Sequence, residues 1–385
     1  MLSGFFTVSS ITALSSNKVL IKSSGTIATT LPLHVEGRYT KNSLGQTVLL
    51  RGVNQEGMLD DPNGWWNPEG GNIYSGYGRW NPDAVEYNLD CMKEWNVNVL
   101  RLLLTVEWWK NDESNYRQHV KDTIGWAGER GIYVLVVFWN IQGNGAPDAL
   151  PIPNYSLDGS EDIVSSNAEF KEICLSVVQE LGDYPNFMFE FWNEPRGDSN
   201  AREEWLTLVQ DTITEIRQYS DCLIIVQWGY GIGVNLSTGN TGGEDLTWIE
   251  EHPLTDSTGN LVYSIHAYRG DFRITMPEWI DCYEYDDLVE GYTATSVYHV
   301  IEDLNKCVIV GEIGANMWWT GEELEHELTF YENSLQIYNE LEIGYIAWIW
   351  TVPAHMQHGL LQSENWCPPP TQSGEILISK IAEGQ

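Results

Sequence analysis

Basic side chains are scarce in this chain: Lys and Arg number 20 against 55 Asp and Glu, a formal charge of −35. A field of that sign repels nucleic acid, anionic lipid and polyanionic glycans, and leaves a neutral ligand without penalty. Long hydrophobic runs are absent as well, so neither a transmembrane helix nor a membrane partner is expected. The six cysteines, at 91, 174, 222, 282, 307 and 367, contain no C-x-x-C pair. That removes the usual zinc spacing and leaves one or two disulfides and free buried thiols both open. His355-x-x-His358 is half of a metal site with no third ligand in view, and reads as two loop histidines. No Gly-rich phosphate loop follows the first strand candidate, which disfavours a nucleotide-binding open sheet. No repeat at solenoid spacing is present. The expectation is therefore a monomer with no metal and no cofactor.

What the chain does have is tryptophan, 18 in 385 residues, within a hydrophobic content of 42%. That content supplies a sizeable core, while an indole N–H needs a partner when buried. Part of this set is expected at the surface or in a cleft, where a ring face can cover the C–H face of a sugar. Residues 1–30 are rich in Ser and Thr and read as an extension. Phe5, Phe6, Val8, Ile11 and Leu14 give them a weak signal-like character without a basic flank, on which an extracellular location is expected. Residues 31–385 read as one domain. Leu33 to Tyr39 and Thr47 to Leu50, around a turn at Ser43–Gly45, predict a hairpin leading into a strand that begins near Val48.

From there strands and helices alternate. Asn81-Pro82 opens a helix, residues 115–130 form another, and Ser166-Asn167-Ala168-Glu169 is a capping box for a third ending near Leu181. Thr320-Gly321-Glu322-Glu323 is read as a second capping box. Strand candidates follow at 98–104, 132–138, 187–192, 223–228, 261–266, 308–312 and 345–350, and 231–256 reads as an insertion. Apolar strands alternating with helices predict an α/β fold, a single (β/α)₈ barrel with long βα loops and an N-terminal hairpin.

In such a barrel the residues at or just past the C-terminal ends of the strands face the active site. Here they are Asn54, Arg101, Trp139, Asn140, Asn193, Glu194, Trp228, His266, Tyr268, Glu312, Trp348 and Trp350. Two strands end in an acid after an apolar run, Phe191-Trp192-Asn193-Glu194-Pro195 and Val308-Ile309-Val310-Gly311-Glu312. Two carboxylates across a barrel mouth are what glycoside hydrolysis needs, one protonated to donate to the leaving oxygen and one ionised to attack. Arg101 near Glu312 is expected to favour its ionised form. Glu56, Glu107 and Glu190 are decoys near strand ends, and Glu190 inside its strand reads as a paired structural carboxylate. Trp65, Trp66, Trp80, Trp108, Trp109, Trp318 and Trp319 fall on βα loops, where they either line a groove or pack the loops down.

Asn193-Glu194-Pro195, Gly311-Glu312-x-Gly314, His266-x-Tyr268 and Arg51-Gly52-Val53-Asn54, in this order and at strand ends, resemble glycoside hydrolase family 5 over residues 33 to 380. That is the cellulase and β-mannanase family of retaining (β/α)₈ enzymes. The resemblance implies Glu194 as acid/base and Glu312 as nucleophile, with Arg101, Asn193, His266 and Tyr268 completing the catalytic set. Asn54, Trp139, Asn140, Trp228, Trp348 and Trp350 are carried as substrate contacts, and alternation allows only one of Trp348 and Trp350 to face the cleft. Trp139-Asn140 stands where many members carry His, which bears on sugar preference. The implied activity is endo-acting hydrolysis of a neutral β-1,4-polysaccharide such as cellulose or β-glucan. A β-mannanase or other family 5 glycosidase is the alternative within the class. A catalytically inactive glycan-binding barrel and a metal-assisted barrel enzyme are the alternatives outside it.

Overall fold

The computed structural model describes residues 30–56, 80–112, 115–139, 164, 166–195, 199–229, 231–232, 243–244, 246, 248–270, 282–294, 297–353, 356–363 and 368–384. In chain order the elements are β1 (Leu33–Glu36), β2 (Tyr39–Asn42), β3 (Arg51–Glu56), α1 (Pro82–Glu94), β4 (Val99–Thr105), α2 (Val106–Asn111), α3 (Tyr116–Glu129), β5 (Tyr133–Trp139), α4 (Asn167–Leu181), β6 (Phe187–Glu190), α5 (Ser199–Ile216) and β7 (Leu223–Gln227). They continue with β8 (Gly231–Ile232), β9 (Gly243–Glu244), α6 (Trp248–Glu251), β10 (Leu261–Ala267), α7 (Tyr285–Ala294), a π-helical turn (His299–Asp303), β11 (Val308–Ile313), α8 (Glu322–Glu340), β12 (Gly344–Ala347) and α9 (Gln372–Glu383).

Eight of these strands close a parallel barrel in the order β3-β4-β5-β6-β7-β10-β11-β12, with β12 pairing back to β3. This is the (β/α)₈ architecture expected from the alternation. Because successive residues of a strand point to opposite sides, each buried strand feeds two cores. Outward residues such as Leu100, Leu102, Val134, Val136, Ile224 and Val226 pack against the helices. Inward residues such as Val99, Leu135, Met188, Ile225, Val262 and Ile346 fill the barrel, joined by Leu33 and Leu50 from the preceding segment. The β1–β2 hairpin thus closes the N-terminal mouth. Asn260 Oδ1 accepts the Val35 N–H at 3.0 Å and the Tyr133 hydroxyl donates to the Leu31 carbonyl at 2.8 Å.

Several local expectations hold. Asn81 caps α1, its Oδ1 accepting from the Ala84 N–H, and Ser166 caps α4 by accepting from the Glu169 N–H. Others need correction. The hairpin turns at Gly37-Arg38, not Ser43–Gly45; the later turn brings Thr47 back to Lys41, so Thr47 to Leu50 runs against β2 and the barrel strand starts at Arg51. Thr320 does not cap α8: Gly321 holds that position at φ 61°, ψ −138°, a conformation only glycine adopts without strain. Residues 231–256 hold the two-stranded β8–β9 pair and the short α6. Among the described residues no helix is long and apolar enough to cross a membrane. Cys91 is disulfide-bonded, and Cys174, Cys222, Cys282 and Cys307 are free.

Candidate active site

The polar end of the barrel is organised around Arg101. It is the third residue of β4, inside the barrel rather than at the strand end, and fully buried. Its guanidinium spends its donors on four neighbours: Nε on Glu190 Oε2 at 2.7 Å, one terminal nitrogen on Asn54 Oδ1 at 2.9 Å and Glu312 Oε1 at 3.0 Å, the other on Asn193 Oδ1 at 2.8 Å. A planar fork suits such divided duty, where an ammonium would not. Burial pulls the guanidinium pKa down, but Glu190 and Glu312 overcome this, and it is held above the ordinary arginine value. Glu190, the last residue of β6, is the paired structural carboxylate expected from the sequence.

Glu194 and Glu312 reach the same spot from opposite sides. Glu194 lies four residues past the end of β6 at φ 55°, the left-handed region that a glutamate seldom occupies. The turn is fixed from outside: Gln227 Oε1 accepts the Glu194 N–H at 3.0 Å, and the Pro195 carbonyl accepts the Gly229 N–H at 2.8 Å. Glu312 owes its direction to an irregularity. Ile309 faces the barrel interior, so plain alternation would turn Glu312 outward, toward the helices. The β10–β11 register instead shifts between Ile265/His266, pairing Ile265 with Val310 and His266 with Glu312. Gly311 is the extra residue, and the bulge re-aims Glu312 into the mouth. A Cβ at Gly311 would lie 2.5 Å from Ser264 Oγ and 3.1 Å from His266 Nε2, so only glycine fits.

His266 bridges the pair, its Nδ1 2.9 Å from Glu194 Oε1 and 3.3 Å from Glu312 Oε2. The Tyr268 hydroxyl donates to Glu312 Oε2 at 2.9 Å. Burial lowers the His266 pKa to about 4 against the opposing pull of Glu312, so the ring is neutral near pH 7. Burial also raises the Glu312 carboxyl above its ordinary value, with Glu194 adding to the rise; His266, Arg101 and Tyr268 pull it back without cancelling the shift. Arg101 favours the ionised form of Glu312, as its position suggests, but desolvation is the larger effect and the net shift is upward. The environments of the two acids differ. The Glu312 side chain is 6% exposed and held by fixed donors, whereas that of Glu194 is 22% exposed.

One oxygen each of Glu194 and Glu312 and one nitrogen of His266 lie within 4.8 Å of one another, a set that a cation can geometrically use. Arg101 already places a positive charge 3.0 Å from Glu312, which works against a second cation there.

Of the remaining candidates, Trp348 packs with Leu103, Val137, Ile349, Trp139 and Tyr268 in a cluster beside the acids. Trp350 does not join them. The chain has left β12 by then, and its indole N–H donates to Asn88 Oδ1 of α1 at 2.8 Å, with the ring edge-on to Trp95. Trp228 is also a correction: Leu223, Ile225 and Gln227 point inward, so Trp228 points out and lies buried in the helix-facing core. Asn54 turns its Nδ2 to the Gly311 carbonyl at 2.9 Å and its Oδ1 to Arg101, so it supports the site from beneath and does not face a ligand. Trp108 and Trp109 are buried in α2, and Trp80 stacks on His119 of α3. Asn140, Trp65, Trp66 and His355 lie outside the described residues.

Two contributors were not marked in the sequence. Gln227 fixes the Glu194 turn, and its signal is a polar residue at an inward position of an apolar strand. His358, read as a loop histidine, is buried with its ring 5.0 Å from that of Tyr268, and burial lowers its pKa to about 4.

The cellulase model of glycosyl hydrolase family 5 matches residues 59–353. Relatives include an endoglucanase of Clostridium saccharobutylicum, 22% identical over 65% of this chain and 46% of its own length. Endoglucanase A of Evansella cellulosilytica is 22% identical over 62% of this chain and 39% of its own. The chain therefore spans less than half the length of either. Among solved structures, an endocellulase of Pyrococcus horikoshii in complex with cellotetraose superposes at a TM-score of 0.67 with 19% identity, covering 91% of this chain and 98% of that one. A β-glucanase of Saccharophagus degradans in complex with cellotetraose gives 0.66 with 17% identity, covering 92% and 94%. These similarities in fold accompany a family match that takes in both acids and Arg101, and the chain belongs to glycosyl hydrolase family 5, the cellulase family.

Proposed function

We propose that the protein is a retaining endo-β-1,4-glucanase that cleaves a neutral polysaccharide, cellulose or β-glucan. The observation that carries this reading is the pair Glu194 and Glu312, whose carboxylate oxygens approach within 4.8 Å. A retaining enzyme holds its two carboxyl groups about 5–5.5 Å apart so that one reaches the anomeric carbon directly; an inverting enzyme needs about 6.5–9.5 Å to admit water.

The roles follow from the surroundings. Glu312, buried and gripped by Arg101 and Tyr268, is the nucleophile: its oxygen bonds to the anomeric carbon while Glu194 protonates the departing oxygen. Glu194, the more exposed acid, then takes a proton from water as that water attacks the same carbon and releases Glu312. Asn193 has committed Oδ1 to Arg101, which leaves Nδ2 to donate to the sugar 2-hydroxyl. Trp348 and Trp139 form the apolar wall for the cleaved sugar, and Asn140 contributes a hydroxyl contact. The negative surface favours a neutral chain, and the endoglucanase names of the relatives favour glucan over mannan. The disulfide at Cys91 supports an extracellular location. Closure of the barrel from β3 to β12 supports residues 31–385 as one catalytic unit.

Incubation with barley β-glucan, hydroxyethyl cellulose and mannan, followed by product sizing, tests the reading. Mixed oligosaccharides from the glucans and little from mannan are expected, unchanged by EDTA. Products from mannan alone would assign a mannanase. Activity lost to EDTA and restored by a divalent ion would mean that Glu194, His266 and Glu312 hold a metal instead.

A further inference from the structure

Most described tryptophans are buried or packed, but Trp318 and Trp319 are 60% and 50% exposed. They lie on the loop between β11 and α8, which starts after Ile313, the residue following Glu312, at the C-terminal face of the barrel. This loop is pinned. Asn316 donates its N–H to Glu327 Oε2 at 3.1 Å and its Nδ2 to Gln357 Oε1 at 3.2 Å, and the Met317 N–H donates to the Gln357 carbonyl at 2.7 Å. Asn316 Oδ1 accepts the Trp318 N–H at 3.0 Å, and the Trp318 indole N–H donates to the Pro353 carbonyl at 2.6 Å. The indole edge is therefore engaged with protein and its face is turned to solvent.

Single exposed apolar residues need no explanation, but two adjacent indoles on a rigid turn beside a cleft form a patch that water covers poorly. Holding the rings in place beforehand removes the ordering cost that a ligand would otherwise meet. The loop is linked to the active site by contacts: Gln357, which holds it, precedes His358, whose ring lies against Tyr268, itself bonded to Glu312. A chain that left the cleavage site over Tyr268 and His358 would run toward the indoles. The exposed acids Glu322, Glu323 and Glu325 begin the next helix, so an anionic ligand is repelled while hydroxyl donors are accepted.

We propose that Trp318 and Trp319 form a distal sugar-binding platform that holds a neutral β-glucan chain outside the cleavage site. This rests on the glucanase reading above. The test compares the wild type, Trp318→Ala, Trp319→Ala, the double variant and Trp318→Phe on cellohexaose and on an aryl cellobioside, which is too short to reach the platform. The double variant should lose roughly tenfold in kcat/KM on cellohexaose, mainly through KM, as for removal of a buried aromatic anchor. On the aryl cellobioside it should stay within about twofold, and Trp318→Phe should recover most of the loss. Affinity electrophoresis in gels containing barley β-glucan should show wild-type retardation that the double variant lacks. Equal losses on both substrates, no loss on either, or a size-exclusion shift showing that the indoles join two copies of the chain would overturn the platform. A wild type inactive on every glucan would instead overturn the glucanase reading, and gel retardation would report separately on binding.

Discussion

The N-terminal half of the barrel interior is filled by Leu50, Val99, Leu135, Met188, Ile225, Val262 and Ile346, whereas the half nearer the C-terminal mouth holds Asn54, Arg101, Glu190, Gln227, Ser264 and His266. The same eight strands build both, one or two pleats apart. Below, burial is favourable by itself, because apolar area leaves water. Above, burial is costly unless each charge meets a partner, and Arg101 supplies four of those contacts. The lower layer is thus a clamp that holds the strand spacing. The upper layer converts that spacing into a desolvated, donor-lined carboxylate pair.

Breaking the upper layer at its centre should have the largest effect. Arg101→Met leaves Glu190 and Glu312 buried without a counter-charge, and loss of one partner of such a pair costs about 3–5 kcal/mol. Activity should fall as well, by at least about 100-fold, because Glu312 would lose the cation that favours its ionised form and the donor that orients it. Urea unfolding with parallel kinetics checks both, and Arg101→Lys serves as a milder variant. A stable, active Arg101→Met protein would remove the arginine from the centre of the site.

The lower layer should separate stability from chemistry. Leu135→Ala should cost about 2–5 kcal/mol in unfolding free energy through the cavity it leaves. Its kcat/KM, measured below the unfolding transition, should match the wild type. A catalytic loss as large as that of Arg101→Met would show that the two layers are not independent.

A smaller effect sharpens the picture at Tyr268. Its hydroxyl donates to Glu312 and stabilises the carboxylate, against the burial that raises the Glu312 pKa. Attack requires the ionised form, so the rate should fall on acidification through a Glu312 pKa above the ordinary carboxyl value. Tyr268→Phe removes a donor to the charged form, raises that pKa further, and should move the acid limb of kcat/KM to higher pH. An acid limb that stayed in place or moved to lower pH would mean that Tyr268 does not act through Glu312.

Much of this contrast is legible in sequence, because parity along a strand is a local property. The acids at 194 and 312, the paired Glu190 and the apolar runs mark the barrel and its mouth without reference to distant contacts. What is not legible depends on departures from parity or on partners far along the chain. The bulge at Gly311 reverses the direction of Glu312, and only the register with β10 reveals it. Trp228 and Trp350 look like cleft residues by position, but one falls on the outward parity and the other lies past the end of its strand against Asn88. The net pKa direction at Glu312 is hidden for a similar reason, since burial is a sum over the whole fold, whereas the Arg101 contact joins two residues.

The division of labour between the two acids is the central claim, and trapping the covalent intermediate tests it most directly. A 2-deoxy-2-fluoro-β-cellobioside with a dinitrophenolate leaving group slows both steps, but its activated leaving group still lets the first outrun the second, so the glycosyl-enzyme accumulates. Proteolysis and peptide mass mapping should place one sugar on Glu312 and none on Glu194. A label on Glu194 would reverse the two roles, and dinitrophenolate release with inversion and no labelled peptide would contradict the double-displacement mechanism itself.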